Sequence, residues 1–331
     1  MATILLTHPP QVRENYYSDR ALAALSALGQ VRRNPHGREL DAAELIQAAR
    51  GCEVIVTHRH VPGDPELFDR LPDLVAFCRC AMDIRNVDVA AASANGVLVT
   101  HASAGFIAAT AEWVLGAMID LGREISLSTV DYKNGKVREA RMGRQLRGTT
   151  LGVIGYGQIG RYLCEIALAL GMRVLVFDPY AKIANGGLTQ VALPQLLAEA
   201  DFVACLAVAT EETENLMNEQ AFAAMKAGAF FVNASRGNLV DEAALLRALD
   251  SGRLAGCAMD VGRDHDQKPS PELARHAQVV ATPHIGGLTP QATEHQALET
   301  VAQVAEILQG RAPKGAVNAD KASRLARLRR D

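Results

Sequence analysis

One arginine, one aspartate and one histidine in the second half of this chain each end an apolar run, where a polar side chain is free to act on a ligand. Arg236 lies in Asn233-Ala234-Ser235-Arg236-Gly237. Its planar fork can hold a carboxylate through two parallel hydrogen bonds, although the same side chain also serves in structural ion pairs. Asp260 ends Ala258-Met259-Asp260-Val261, where a carboxylate orients a carboxamide or a histidine, or caps the next turn. His284 sits in Thr282-Pro283-His284-Ile285-Gly286-Gly287, a short loop bounded by proline and glycine. A single loop histidine is usually a surface residue, but imidazole also exchanges protons near neutral pH. Taken together, a carboxylate clamp and a proton donor suit reduction of a ketone beside a carboxylate. Negative charge then develops on the ketone oxygen, and a positioned acid neutralises it.

Such a reduction needs a hydride, and the stretch Leu151-Gly152-Val153-Ile154-Gly155-Tyr156-Gly157-Gln158-Ile159-Gly160 points to its carrier. An apolar strand runs into a G-x-G-x-x-G turn and then into the helical pattern Arg161 to Leu170. Gly155 allows the tight turn, Gly157 lets the backbone approach a pyrophosphate, and Gly160 lets helix pack on strand. Gln158 and Ile159 complete the turn, and the helix N-terminus faces the phosphates. A second strand, Arg173–Phe177, ends on Asp178, whose carboxylate can accept both ribose hydroxyls and repel the extra phosphate of NADP. The cofactor read from these residues is NAD.

These segments require a scaffold that brings many strand ends to one edge. Short apolar runs alternate with helix-period segments along the chain, the pattern of parallel α/β architecture. The first set has strands at Thr3–Thr7, Glu53–Thr57, Leu74–Cys78 and Val97–Thr100, with helices at Ala21–Leu28, Asp41–Ala49 and Val87–Ala94. The second begins at Leu151 and adds Phe202–Val208, Ala229–Asn233, Gly256–Val261 and Val279–Ala281. A long apolar helix, Ala108 to Ser126, lies between them and reads as a hinge and subunit contact or as a buried helix within one domain. A helix from Gln291 to Leu308 returns the chain to the first set. The expected fold is α/β with two doubly wound parallel-sheet domains, a dinucleotide-binding Rossmann domain (102–287) inserted into a flavodoxin-like substrate domain (1–101 with 288–331).

With 331 residues, a formal net charge of −3 and 21% charged residues, the chain is large enough for two cores and has no excess charge for nucleic acid or an acidic membrane. Its amino terminus has no basic region before a long apolar run, and no stretch is long enough to span a bilayer, so it reads as cytosolic. The six cysteines are scattered through apolar segments with no C-x-x-C spacing, which reads as reduced core residues; no metal is expected. The basic run Lys321 to Arg330 reads as a solvated helix end.

The order and spacing of these motifs resemble the D-isomer-specific 2-hydroxyacid dehydrogenases, from about Asp41 to Asn318. The chain supplies the glycine turn and Asp178, then Asn233 to Asp241, Asp260-Val261 and Thr282 to Gly286, with Met225-Lys226-Ala227-Gly228-Ala229 in the family's form. The resemblance implies that Arg236 holds the 2-oxo acid carboxylate, that His284 exchanges a proton with the 2-oxygen, and that Asp260 lies beside the nicotinamide. Ala234 and Gly286 join the glycine turn and Asp178 on the cofactor side. It also implies a catalytic domain formed by both chain ends and a homodimer built around the long helix.

Three departures from the family pattern shape the expectation. The carboxylate that partners the family's histidine is a Glu five residues after the strand-end Asp, and here that position is His265. Asp264 and Asp266 flank it, and Asp266 is taken as the replacement, the alternative being that both are solvated. The family's R-x-G-x-G-x-D-N loop is Arg79-Cys80-Ala81-Met82-Asp83-Ile84-Arg85-Asn86, without either glycine. Ala81, Arg85 and the Arg59 of His58-Arg59-His60 are therefore assigned to the substrate side, where the cations either bind a second anionic group or are plain surface charges. Leu206-Ala207-Val208 replaces the family's H-x-P. The expected reaction interconverts a small 2-oxo acid, of the glyoxylate or hydroxypyruvate type, and its D-2-hydroxy acid. The alternatives are oxidation of another small anion such as formate or phosphite, and an NAD-sensing corepressor-like interaction protein.

Overall fold

Runs such as Val54-Ile55-Val56-Thr57, β-branched and buried on both faces, can satisfy their backbone only inside a covered parallel sheet. A computed structural model describes residues 1–184 and 186–329 and contains two such sheets. The first is built from β1 (Thr3–Leu6), β2 (Gln30–Arg33), β3 (Val54–Thr57), β4 (Ala76–Arg79) and β5 (Leu98–His101), in the order β2-β1-β3-β4-β5. The second is built from β6 (Thr150–Ile154), β7 (Arg173–Phe177), β8 (Leu188–Gln190), β9 (Phe202–Cys205), β10 (Ala229–Asn233), β11 (Leu254–Met259) and β12 (Val279–Ala281). Its order is β12-β11-β10-β9-β6-β7-β8, and every pairing in both sheets is parallel. The chain divides into one unit of Met1–Phe106 with the segment from Leu288 onward and a second unit of Ile107–Gly287, so the second is inserted in the first.

Successive strand residues face opposite sides of a sheet, and the cores follow that period of two. In the first unit Ile4, Leu6, Val54, Val56 and Cys78 pack on one face with Tyr17, Leu25 and Val304. Leu5, Ile55, Phe77 and Val99 pack on the other with Leu45, Ile46 and Phe68. The second unit repeats this, with Leu151, Val153, Val174 and Val176 against helices on one side and Ile154, Leu175 and Val203 on the other. All six cysteines are buried and free, three of them within strands.

Several elements differ from the sequence reading. The edge strands β2 and β8 are short and mostly exposed, so they lack the apolar run that marked the others. Helices Pro10–Tyr16 and Pro65–Arg70 begin at a proline, which suits the first helical turn but reads in sequence as a breaker. The long helix ends at Arg123; Glu124 adopts the left-handed conformation, with φ 51° and ψ 40°, and a second helix runs over Ile125–Lys133. The basic tail is not a solvated helix end. Ser323–Leu328 form a 3-10 turn in which Arg324 Nη1 donates to the carbonyls of Leu71 and Leu74, at 2.7 and 2.9 Å, and Arg327 Nη1 donates to Pro72. These carbonyls follow the end of helix Pro65–Arg70, where the helix itself supplies no donors. Arg330 lies outside the described residues.

Candidate active site

Register in the second sheet sets the site. Phe177 pairs with Ile154, Ile154 with Cys205, Cys205 with Asn233, Asn233 with Met259 and Met259 with Ala281. The next residue on each strand is Asp178, Gly155, Leu206, Ala234, Asp260 and Thr282. One line across the sheet thus ends in the segments that the sequence singled out. It lies at the carboxyl edge, where ligands of open α/β sheets bind, and β6 and β9 flank the point at which strand order reverses.

The glycine turn is required by the backbone. Gly155 has φ +98°, and a Cβ there would lie 2.7 Å from the backbone of Leu206 and Ala207. A Cβ on Gly160 would strike the carbonyl oxygen of Gly155, so the helix packs close to the turn. Gly157 is the N-cap of helix Gln158–Ala169, with no side-chain cap and open space where a Cβ would point. The first amides of that helix are therefore presented to an anion. Asp178 accepts hydrogen bonds from the amides of Tyr156, Tyr180 and Ala181, at 2.7, 2.9 and 2.9 Å. Its burial pushes the carboxyl up, but the three amides outweigh that and hold it below its ordinary range. An ionised acid beside an uncapped helix start over a glycine turn fits a dinucleotide with an unmodified ribose.

Asp260 is only 2% exposed. One carboxylate oxygen accepts from Thr282 Oγ1 at 2.6 Å and from the amide of Ile285 at 2.8 Å; the other accepts from the amide of Gly286 at 2.7 Å. Asp260 therefore organises the histidine loop, one of the readings open from sequence. His284 is half-buried within it, with φ +60°, a conformation a non-glycine residue adopts only when its surroundings impose it.

The segment after β11 supplies the histidine's neighbour. Asp266 and Gln267 both have positive φ, 56° and 58°, and the amide of Gly262 donates to the Gln267 carbonyl at 2.7 Å. This tight fold brings the main-chain oxygen of Asp266 to 3.3 Å from His284 Nδ1. Asp264 is exposed and accepts from the amide of His265, itself exposed. The main chain of residue 266 thus meets the histidine, and the Asp264 carboxylate caps a turn. Arg236, half-buried, projects from a loop in which Asn233 accepts from the amide of Ser235 and donates to the Arg236 carbonyl, and its Nη1 donates to the Ser235 carbonyl at 2.8 Å.

The substrate-side residues assigned from sequence belong to the first unit. Arg85 forms a two-point ion pair with Asp83, with Nε–Oδ1 at 3.0 Å and Nη2–Oδ2 at 2.5 Å. Ala81 accepts from the amide of Ala102 at 3.1 Å, and no residue from 79 to 86 has positive φ, so this loop dispenses with glycine. Arg59 Nε donates to His60 Nε2 at 3.0 Å, and its guanidinium lies 5.9 Å from the Tyr16 ring centre.

The sequence offered His58-Arg59-His60 and the Arg79 loop only as cations or surface charges; it did not show their contacts with Glu39, His8 and Tyr17. Arg79 is fully buried and donates to the carbonyls of His58 and Val61 and to Asn86 Oδ1. Glu39 Oε1 lies 3.0 Å from His58 Nδ1 and 3.2 Å from His60 Nδ1. Hydrogen bonds from both imidazoles pull the Glu39 carboxyl down to about 2, against burial. Burial lowers His58 despite the carboxylate, so the coherent state is a neutral His58 donating Nδ1–H to an ionised Glu39. His8 and Tyr17 pack behind, with ring centres 5.1 Å apart. The signal that could have found this group is position: His8 and His58 follow β1 and β3, the pair at which the order of the first sheet reverses.

Comparisons with known proteins bear on the second unit and on the chain as a whole. Residues 115–286 match the family described as D-isomer specific 2-hydroxyacid dehydrogenase, NAD binding domain. The D-3-phosphoglycerate dehydrogenase of Rattus norvegicus is 33% identical over 286 residues, which are 85% of this chain and 54% of that protein. The chain thus spans about half the length of the curated relatives it matches. A crystal structure of a protein from Thermus thermophilus superposes with a TM-score of 0.84 at 30% identity, covering 95% of this chain and 99% of the other. A glyoxylate reductase from Paecilomyes thermophila superposes with a TM-score of 0.79 at 25% identity, covering 96% and 98%. No helix among the described residues is long and apolar enough to cross a membrane.

Proposed function

This chain belongs to the D-isomer-specific 2-hydroxyacid dehydrogenase family, and on that premise we propose that it interconverts a small 2-oxo acid and its D-2-hydroxy acid with NAD as cofactor. Bound NADH supplies the hydride. Arg236 holds the substrate carboxylate and so fixes which face of the ketone is presented. His284 gives a proton to the 2-oxygen as charge develops there, and takes it back in the reverse direction. The Asp266 main-chain oxygen accepts from Nδ1–H, which leaves Nε2 as the proton-exchanging atom, and in this reading the Asp266 carboxylate is the charge that would favour the protonated ring. Asp260 keeps the loop in place through three donors, with Gly286 and Ala234 beside the cofactor.

The observation that carries this reading is the common level at which the glycine turn, Asp178, Asp260 and the segments bearing Arg236 and His284 leave the second sheet. In this reading residues 107–287 carry the cofactor, and the unit formed by both chain ends contributes to substrate recognition. Arg85 is paired with Asp83 at two points, and in this reading the substrate carries one anionic group, of the glyoxylate or hydroxypyruvate type. The exposed apolar side chains of Ile119, Ile125, Val130 and Tyr132, on the long helix and its successor, support a homodimer through that region. Six buried thiols suit a reducing cytoplasm.

The test is NADH absorbance with glyoxylate, hydroxypyruvate and a phosphorylated 2-oxo acid, repeated with NADPH. Turnover of the first two, with NADPH at least roughly tenfold less efficient, the equivalent of about 1.4 kcal/mol, is expected. No turnover with any 2-oxo acid overturns the activity. Preference for the phosphorylated acid overturns the substrate class, and parity between cofactors overturns the role of Asp178.

A further inference from the structure

The carboxyl edge of the first sheet carries a cluster whose chemistry the dehydrogenase reading does not require. We propose that Glu39, His58 and His60 bind one divalent transition-metal cation of the zinc type. Glu39 Oε1 and both Nδ1 atoms are its protein ligands, and a remaining position is open to water or an anionic oxygen.

Convergence is the first observation. Both Nδ1 atoms aim at the same oxygen, at 3.0 and 3.2 Å, and the three candidate ligand atoms all lie within 4.8 Å of one another. Ligands about 2.0–2.1 Å from a tetrahedral zinc stand roughly 3.3 Å apart, close to both oxygen–nitrogen separations here. Two imidazoles and a carboxylate select a borderline cation over calcium or magnesium, and three protein ligands leave the fourth position open.

The second observation is independent of those distances. His58 Nε2 is buried and, among the described residues, has no hydrogen-bond partner; the same holds for both ring nitrogens of His8 and for Tyr17 Oη. His8 is 2% exposed, and its ring centre lies 5.3 Å from that of His58 in an edge-to-face arrangement. A His58 ligated through Nδ1 carries its proton on Nε2, and the His8 ring is the acceptor at hand. A metal-bound histidine commonly donates its second ring N–H in this way, and the acceptor fixes ring orientation. Cluster and backing thus explain each other: a neutral imidazole kept dry behind a metal-facing one.

Two cations bear on the site. Arg79 is committed to His58, Val61 and Asn86. Arg59 Nε–H donates to His60 Nε2, which holds the His60 proton on Nδ1. Ligation moves that proton to Nε2 and breaks this bond, so Arg59 competes with the metal.

The experiment uses the full chain stripped with a chelator, titrated with Zn²⁺ by calorimetry and with Co²⁺ by visible absorption. One ion per chain and a Co²⁺ spectrum without thiolate charge transfer are expected. Glu39→Gln and His60→Ala, at positions that are not buried, should each weaken binding at least tenfold, and Arg59→Gln should tighten it. The proposal is overturned if the parent chain takes up no ion, or if both ligand variants bind as the parent does. Neither result bears on turnover of 2-oxo acids, so this inference and the dehydrogenase reading stand or fall separately.

Discussion

The two sheets share an all-parallel, doubly wound plan and place their polar residues at the same kind of edge, yet they handle polarity in opposite ways. In the second unit the carboxylates are saturated by main chain and loop: Asp178 takes three amides, and Asp260 takes two amides and a hydroxyl. In the first unit the edge is built from side chains on side chains, and among the described residues His8, Tyr17 and His58 each keep a buried polar atom without a hydrogen-bond partner. The former arrangement holds its charges at constant geometry, as a reaction with a developing charge requires. The latter keeps imidazoles buried and neutral, so that gaining a proton there costs folding stability.

The largest effect expected from this contrast is on turnover. His284→Ala should lower the rate of 2-oxo acid reduction by roughly 10² to 10⁴, the usual contribution of positioned acid catalysis. Arg236→Lys should chiefly raise KM, because a point charge does not reproduce the fork. Both variants should bind NADH like the parent, measured by fluorescence titration. Parent-like reduction by either would dissolve the division between a reacting edge and a binding edge.

Stability against pH sharpens the comparison from the first unit. Burial, first, and then His58 hold His8 well below its ordinary range; Glu39 opposes this, and Arg79 adds to it. Because the folded form keeps His8 neutral, the unfolded chain binds the proton more readily. This stability is complete above the ordinary histidine range and is lost as pH falls through about 6.5, with a slope of up to about 1.4 kcal/mol per pH unit for one proton. Urea unfolding between about pH 8 and pH 5.5, a window that brackets the ordinary histidine range, should show the loss, and His8→Gln should flatten it. The same slope in parent and variant would place the acid sensitivity elsewhere.

The smallest effect concerns Asp266. Asp266→Asn keeps the main-chain oxygen on His284 but removes the charge, so the imidazolium becomes scarcer at lower pH than before. The alkaline limb of the reduction profile should move to lower pH with the plateau little changed, while Asp264→Asn, altered at an exposed turn, should leave it in place. A profile that moves only in Asp264→Asn would reassign the carboxylate.

Legibility in sequence follows range. The glycine turn, Asp178, Asn233 to Gly237 and Thr282 to Gly286 are local strings at strand ends, and a strand end is visible wherever an apolar run stops. β2 and β8 escape a sequence reading because edge strands bury little and need no apolar run. Glu39 stands nineteen residues before His58, and only the pairing of β1 with both β2 and β3 brings their loops together. Cysteine spacing could not reveal a Glu-His-His cluster.

What the chain determined by itself was the period and order of its elements. Alternation of apolar runs and helical segments requires parallel sheets, and G-x-G-x-x-G between an apolar run and a helical segment marks the turn at 155 to 160. Tertiary structure decided what no string encodes. It put Asp260 beneath the His284 loop, brought the Asp266 carbonyl to the imidazole by two left-handed residues, and gathered His8, Glu39, His58 and His60 from three loops. The reason is physical: a hydrogen bond between distant residues depends on sheet register and loop closure, and those are set by the packing of the whole unit.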